Sequence, residues 1–397
     1  MTEPTDAIDP LMLLFVDPAA ADDPTEAYET LRTQCPVART PGMMGDDMSV
    51  WVSNYEYALW ALKHPEVFSS EGESINIGQQ HDLIPLQIDP PLHTKYRRFL
   101  AEWFNTRAIN PLEPEVRRLV NELIDGFVDT GACDFHEDFA TPLPSEVFLA
   151  MMGLPQSDLP MFLKWRDDII RPKVDLEDAE AVRVQTGAEI TAYFDAQIEE
   201  LRAHPREGFW SALVNSNEFE GRALTREELL GMAFLLILGG LDTVTATLDC
   251  MIEYLALHPD HRRQLIENPA ITADAAEEML RALTPVQVVP RRIKADAELG
   301  GIEVKAGDSA TIVLGAANLD PGMFPNPNEV DFNRPRTINF AFGGGPHLCL
   351  GINLARLELR VALEEWHKRI PDYRIAEGVT ITHSPGIRQA DSLPLVW

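Results

Sequence analysis

The chain has 397 residues, 45% hydrophobic and 24% charged, enough to bury a large core and, by length alone, to form one large domain or two or three small ones. Its formal charge of −30 excludes a nucleic-acid binder, which needs a basic surface, and reads as a solvated acidic exterior. Four scattered cysteines, Cys35, Cys133, Cys250 and Cys349, exclude a disulfide framework and predict a reducing, cytoplasmic setting.

The start, Met1 to Asp6, is acidic and lacks the basic region of a secretory signal. Prolines are spread along the chain, with no linker between parts. Pro24 to Arg32 reads as a short helix, Val37 to Val52 as two strands and Ser53 to Phe68 as helix again. Ser69 to Leu86 is a polar stretch with Gly72, Gly78, Gln79, Gln80 and His81 and little periodicity, a long loop of the kind that carries function. Asp89-Pro90-Pro91 then opens a helix through Tyr96, Phe99, Leu100 and Trp103. His93 and Arg97, four apart, share one face of it. Lys95, Arg97 and Arg98 form a basic island in an acidic chain, which predicts docking of an acidic partner. From Glu113 to about His204 the spacing is largely helical, with amphipathic pieces over Asp158 to Val174.

Thr225 and Glu228 form a capping box ahead of a helix that is apolar on nearly every side, and therefore buried. Its apolar run, Leu229 to Leu241, stops at Asp242, short of the ~20 residues a membrane span needs. Gly239-Gly240-Leu241-Asp242-Thr243 breaks both helix propensity and burial preference in the middle of this helix, and such joint violations mark functional sites. A plain structural alternative is Asp242 paired with an arginine and Thr243 bonded to its own backbone. Ala273 to Arg281 is helical, with Glu278 and Arg281 on one face, and Pro285 to Arg291 is an extended strand. Ile302, Val304, Ala310, Ile312 and Val313 predict short antiparallel strands, and Asn318 to Arg336 a loop.

Phe342-Gly343-Gly344-Gly345-Pro346-His347-Leu348-Cys349-Leu350-Gly351 presents one sulfur just before a helix predicted over Asn353 to Lys368. A helix N-terminus favours thiolate over thiol. A lone thiolate suits a metal that takes one protein ligand, haem iron above all. Two other roles compete, a small buried hydrophobe and a nucleophile with His347 as base. A phosphate cradle is disfavoured, since neither the Walker lysine nor GxGxxG spacing is present.

The pattern Phe342-x-x-Gly345-x-His347-x-Cys349-x-Gly351 resembles the haem-binding signature of the cytochrome P450 superfamily. The chain is similar to the soluble bacterial class over nearly its whole length, and closest to the camphor-hydroxylating monooxygenases, down to the Leu393-Pro394-Leu395-Val396-Trp397 terminus. The resemblance implies one domain over residues 1–397, mostly α with a smaller β portion, with haem b between a long central helix and the Cys349 loop. Cys349 would be the axial ligand. His93, Arg97, Arg291 (or its neighbour Arg292) and His347 would hold the propionates, with Phe342, Gly239 and Gly351 framing the cofactor. Thr243 would be the alcohol that hydrogen-bonds dioxygen and Asp242 the acid that passes protons inward. Glu278, Arg281 and Arg334 would be architectural.

His81 falls where the camphor enzymes hold a substrate-binding tyrosine, a departure that argues against camphor itself. Leu86, Leu235, Leu238 and Ile387 would line an apolar cavity. The implied activity is hydroxylation of a small hydrophobic molecule, terpenoid or norisoprenoid-like, by a monomeric, non-membrane enzyme. It would use O2 and electrons from an iron–sulfur ferredoxin with its reductase, docked near Lys95, Arg97 and Arg98. A peroxide-driven haem-thiolate oxygenase and a non-catalytic haem sensor are the alternatives. Asp242 with Thr243 speaks against both.

Overall fold

Helices form where apolar residues recur at helical spacing, and a computed structural model describes them within residues 9–42, 48–72 and 76–397. The acidic start at 1–6, residues 43–47, and 73–75 of the stretch expected as a polar loop lie outside the described residues. The fold is mostly α with a smaller β portion, as the sequence predicts. Its strands are β1 (Val37–Pro41), β2 (Met48–Val52), β3 (Phe68–Ser69), β4 (Ala132–Asp134), β5 (Val288–Ile293), β6 (Ala297–Leu299), β7 (Ile302–Val304), β8 (Ser309–Val313), β9 (Arg374–Ile375) and β10 (Pro394–Val396). The largest sheet runs β1-β2-β8-β5-β3, with β4-β10-β9 and the β6-β7 hairpin beside it. The short strands expected around Ile302 and Ala310 are present as β7 and β8, but each pairs antiparallel with a different partner, β7 with β6 and β8 with β5. Strand β2, however, runs parallel to β8, a long-range crossover that no local pattern announces.

The central helix departs most from expectation. It is not one rod but two, Arg226–Leu241 and Thr243–Leu257, meeting at Asp242 with φ −116° and ψ −42°. The apolar run therefore continues past the point where the sequence ends it. Arg226–Leu257 is long and apolar enough to cross a membrane by composition, yet 67% of its apolar window is buried inside the protein. Each half serves a different apolar cluster. The first, with Leu229, Phe234 and Leu241, packs against Phe148, Phe162, Phe194 and Trp210. The second, with Leu248, Met251 and Leu255, packs against Val120, Phe135, Met279 and Trp366. Asp242, fully buried, sits at the seam.

The capping box forms as read, Thr225 Oγ1 accepting from Glu228 N at 3.2 Å and Glu228 Oε2 from Thr225 N at 2.6 Å. Glu228 also accepts from Tyr96 Oη at 2.6 Å and from Arg222. Burial alone would raise this carboxyl, but Arg222, Tyr96 and the Thr225 amide outweigh it and hold it down to about 2. A carboxylate depressed on folding contributes stability that is complete above its unfolded value near 4.5 and is lost as pH falls through about 2. Against Glu228→Gln, the wild type is expected to be about 1–3 kcal/mol more stable at neutral pH, with the gap narrowing as pH falls below 4. Urea unfolding of both proteins across pH 3 to 7 checks this, and a gap that does not vary with pH would refute it.

Candidate active site

The Cys349 loop is shaped by one obligatory glycine. Gly345 has φ +63°, and a Cβ there would lie 1.9 Å from the backbone oxygen of Leu62, so the loop is pressed onto the Tyr55–Lys63 helix. Cys349 N donates to Phe342 O at 2.9 Å and closes the turn, while Arg356 lies 5.3 Å over the Phe342 ring. The helix behind the loop spans Ile352–Arg369 with Gly351 as its cap. Gly351 has room for a side chain, since a Cβ would meet the Cys349 sulfur only at 4.0 Å.

Burial pushes the Cys349 thiol up, and the Gly351 amide, Arg97 and Arg356 oppose that. The helix terminus therefore does not by itself make the thiolate that the sequence predicts. A bound cation would.

Around the sulfur lies a set of polar groups that the protein leaves unsatisfied. His93 is 2% exposed with both ring nitrogens unpartnered, and its ring centroid is 4.1 Å from that of His347, whose Nε2 is also unpartnered. Burial, helped by nearby Arg97 and Arg291, pushes His93 down to about 4 and His347 down to about 2, so both imidazoles are neutral donors at neutral pH. Arg291, buried, bonds only the carbonyl of Pro290 and is pushed down to about 10 by desolvation. Arg97 has no hydrogen-bonded or ion-paired partner among the described residues and lies close enough to Cys349 to act on its charge.

Buried guanidinium and imidazole groups without acceptors are costly unless an anion completes them. A porphyrin with two carboxylates fits this donor set, beside a single sulfur. Of the two arginines expected as alternatives in β5, Arg291 lies close enough to act on both imidazoles, while Arg292 stands opposite Ser69 in the register of β3 with β5.

The other expected site residues gather at the seam of the central helix. Leu235, Leu238, Gly239 and Thr243 fall at i, i+3, i+4 and i+8, one stripe, and all are accessible in a helix otherwise largely buried. A Cβ at Gly239 would meet nothing within 4 Å, so this glycine leaves open space, while one at Gly240 would strike Phe148 at 2.8 Å. Thr243 Oγ1 donates to Gly239 O at 3.1 Å. Asp242 forms a two-pronged ion pair with Arg171, and Gln389 Nε2 donates to its Oδ1 at 3.3 Å. Both halves of the plain structural alternative are thus present, and they coexist with the exposed stripe.

Leu86 is partly buried against the Arg226–Leu241 cluster, and Ile387 lies on a turn bridged to Val286. His81 is half-buried beside Glu227, in the first turn of that helix, about 18 Å along its axis from Gly239. The basic island divides: Lys95 pairs with Glu220 at 2.7 Å, Arg97 turns inward, and Arg98 is exposed with no hydrogen-bonded or ion-paired partner among the described residues.

Arg171 and Gln389 escape sequence reading. Arg171 could have been sought as a cation closing the amphipathic Asp158 to Val174 stretch, whereas nothing local marks Gln389.

The cytochrome P450 family model matches residues 40–366. The chain is 34% identical to "Probable cytochrome P450 127A1" of Sinorhizobium fredii, across 97% of this chain and 93% of that one. It is 32% identical to a steroid C26-monooxygenase of Mycolicibacterium smegmatis, across 94% and 92%. Among solved structures, the myxobacterial cytochrome P450 CYP267B1 in complex with myristic acid superposes with a TM-score of 0.88 at 29% identity, covering 98% of this chain and 99% of that one.

Proposed function

The chain belongs to the cytochrome P450 family, and from that premise we propose that it is a single-domain, monomeric, cytoplasmic monooxygenase that hydroxylates a small hydrophobic molecule of terpenoid or norisoprenoid type. Members of this family hold haem b on a cysteine thiolate and use O2 with a redox partner. The observation that supports the reading is the gathering, near one sulfur, Cys349, of four donors that the described residues leave short of acceptors, buried His93 and Arg291 with half-buried Arg97 and His347, together with the accessible stripe Leu235–Leu238–Gly239–Thr243. Haem, when bound, supplies dioxygen activation at its iron, with thiolate electron density favouring O–O cleavage.

The chain's own residues do the rest. Cys349 would ligate the iron; Arg97, Arg291, His93 and His347 would hold the propionates; Phe342 and Gly351 would frame the sulfur. Gly239 would leave room for dioxygen, Thr243 would donate a hydrogen bond toward it, and Asp242 would pass protons inward as a general acid. Leu86, Leu235, Leu238 and Ile387 would give the substrate an aliphatic wall, whereas His81, about 18 Å along the helix from Gly239, is too distant to bond a small molecule held there. An iron–sulfur ferredoxin supplies electrons at the face carrying Lys95, Arg97 and Arg98, where Arg98 is the exposed charge. Kinship with camphor hydroxylases is supported by the Leu393–Trp397 terminus, and the named relatives point to steroids and fatty acids as competing substrate classes.

The reduced protein under carbon monoxide is expected to show a Soret band shifted far to the red of histidine-ligated haem. A panel of β-ionone, testosterone and myristic acid then separates the substrate classes by the spin shift each induces. Preference for the steroid or the fatty acid would overturn the small-terpenoid assignment and leave the monooxygenase standing, while an unshifted carbon monoxide band would overturn both.

A further inference from the structure

Asp242 is held by two anchors of different character. Arg171 follows the Leu159–Ile170 helix, its side chain is 25% exposed, and it donates to both carboxylate oxygens. Gln389 is 3% exposed and donates to Oδ1 alone. The turn bearing Gln389 is fixed from several sides. Gln287 N donates to Gly386 O at 2.9 Å, and Gly386 N returns a bond to Gln287 Oε1 at 2.9 Å. Arg388 N donates to Pro285 O at 2.8 Å, Ser384 N to Gln389 O at 3.0 Å, and His383 Nε2 reaches Glu253 at 2.8 Å on the Thr243–Leu257 half of the central helix.

Both anchors meet at Oδ1, whereas Oδ2 is bonded by Arg171 alone among the described residues. A carboxylate gripped at both oxygens by a guanidinium has no free oxygen with which to carry a proton. Arg171, partly exposed at a helix end, is the anchor for which water can compete. Gln389, buried on a braced turn, is the one that stays, and a neutral amide orients the acid without adding charge.

We propose that Gln389 is the fixed positioning residue of Asp242, holding Oδ1 while Arg171 swings away, so that Oδ2 is the oxygen that takes up and hands on the proton. This rests on Asp242 being the acid of the reaction. Ile387, two residues before, lies on the same turn, so the substrate wall and the orientation of the acid share one rigid piece of chain.

The test compares wild type, Gln389→Leu, Gln389→Glu, Asp242→Asn and the Gln389→Leu/Asp242→Asn double variant, each loaded with haem. Electrons come from a surrogate [2Fe–2S] ferredoxin and its reductase, without organic substrate, and the readout is peroxide released per O2 consumed. Gln389→Leu and the similarly sized Gln389→Glu are expected to raise that fraction about three- to tenfold, the loss of one bond to a charged group. The double variant should be no worse than Asp242→Asn, and the solvent deuterium effect on O2 consumption should change in the same variants. Independently of turnover, the urea midpoints of the two single substitutions should be non-additive.

If Asp242→Asn leaves the peroxide fraction unchanged, the acid reading fails and the proposal with it. If Asp242→Asn changes it while Gln389→Leu does not, or the two effects simply add, the proposal fails alone.

Discussion

Cys349→Ala protein is expected to fold and to lose hydroxylation to background. Cys349 sits in a loop braced by Cys349 N to Phe342 O and by the Gly345 contact with Leu62, and neither uses the sulfur. Alanine keeps those backbone bonds, so its cost to stability is about 1 kcal/mol or less. The chemistry has no substitute. Cys250, a buried cysteine in the second half of the central helix, bonds Arg388 Nη1 and Arg388 O, and its thiol is raised to about 12. Cys250→Ala should therefore keep the red-shifted carbon monoxide band that Cys349→Ala loses. Spectra and product assays on the pair check the assignment, and a Cys349→Ala protein that retains the shifted band would refute thiolate ligation at this position.

Arg281→Met is expected to be the most destabilising single change outside the site. Arg281 is 2% exposed and all five of its N–H groups are used: two on Glu278, at 2.9 and 2.8 Å, and the rest on the carbonyls of Asn318, Pro327 and Glu329. Arg334 and the Asp331 amide complete Glu278 from the loop. Removing the guanidinium strands the buried carbonyls of Asn318 and Pro327 and takes two charge-assisted bonds from Glu278, leaving Arg334 to hold both Glu278 and Glu329 O, which costs about 3–5 kcal/mol in a protein whose total stability is about 5–15 kcal/mol. Lysine should not rescue it, because one ammonium cannot reproduce a planar five-donor fork. Urea unfolding of Arg281→Met and Arg281→Lys measures this. A loss below 1 kcal/mol would show the loop from Asn318 to Arg336 to be held by its apolar contacts instead.

Much of this molecule is written locally. Helical spacing located the Leu92–Phe104, Thr272–Leu283 and Ile352–Arg369 helices, and Thr225 with Glu228 marked a helix start that the structure caps as read. The Gly239 to Thr243 violation flagged the seam, although not that the helix would divide there, because the division depends on two apolar clusters brought together by distant chain. Arg171 and Gln389 reach Asp242 from 71 and 147 residues away, distances over which no periodicity speaks. The parallel β2·β8 pairing, the inward turn of Arg97 and the capture of Lys95 by Glu220 are likewise tertiary outcomes. So is the fate of the Cys349 thiol, where burial by the whole fold outweighs the helix terminus that the sequence could see.

The cluster of His93, Arg97 and His347, left short of acceptors among the described residues, with Arg291, which has only one backbone carbonyl among them, also bears on how this protein comes to exist. Groups that lose water on folding and gain no partner from the chain tilt the equilibrium toward the unfolded state, and a dicarboxylate that satisfies them tilts it back by mass action. Assembly and cofactor capture are then a single linked equilibrium, with haem acting as a folding ligand. Steady-state abundance of the folded enzyme in a cell should accordingly follow porphyrin supply, and a host starved of iron should lose the protein to proteolysis before it loses the message.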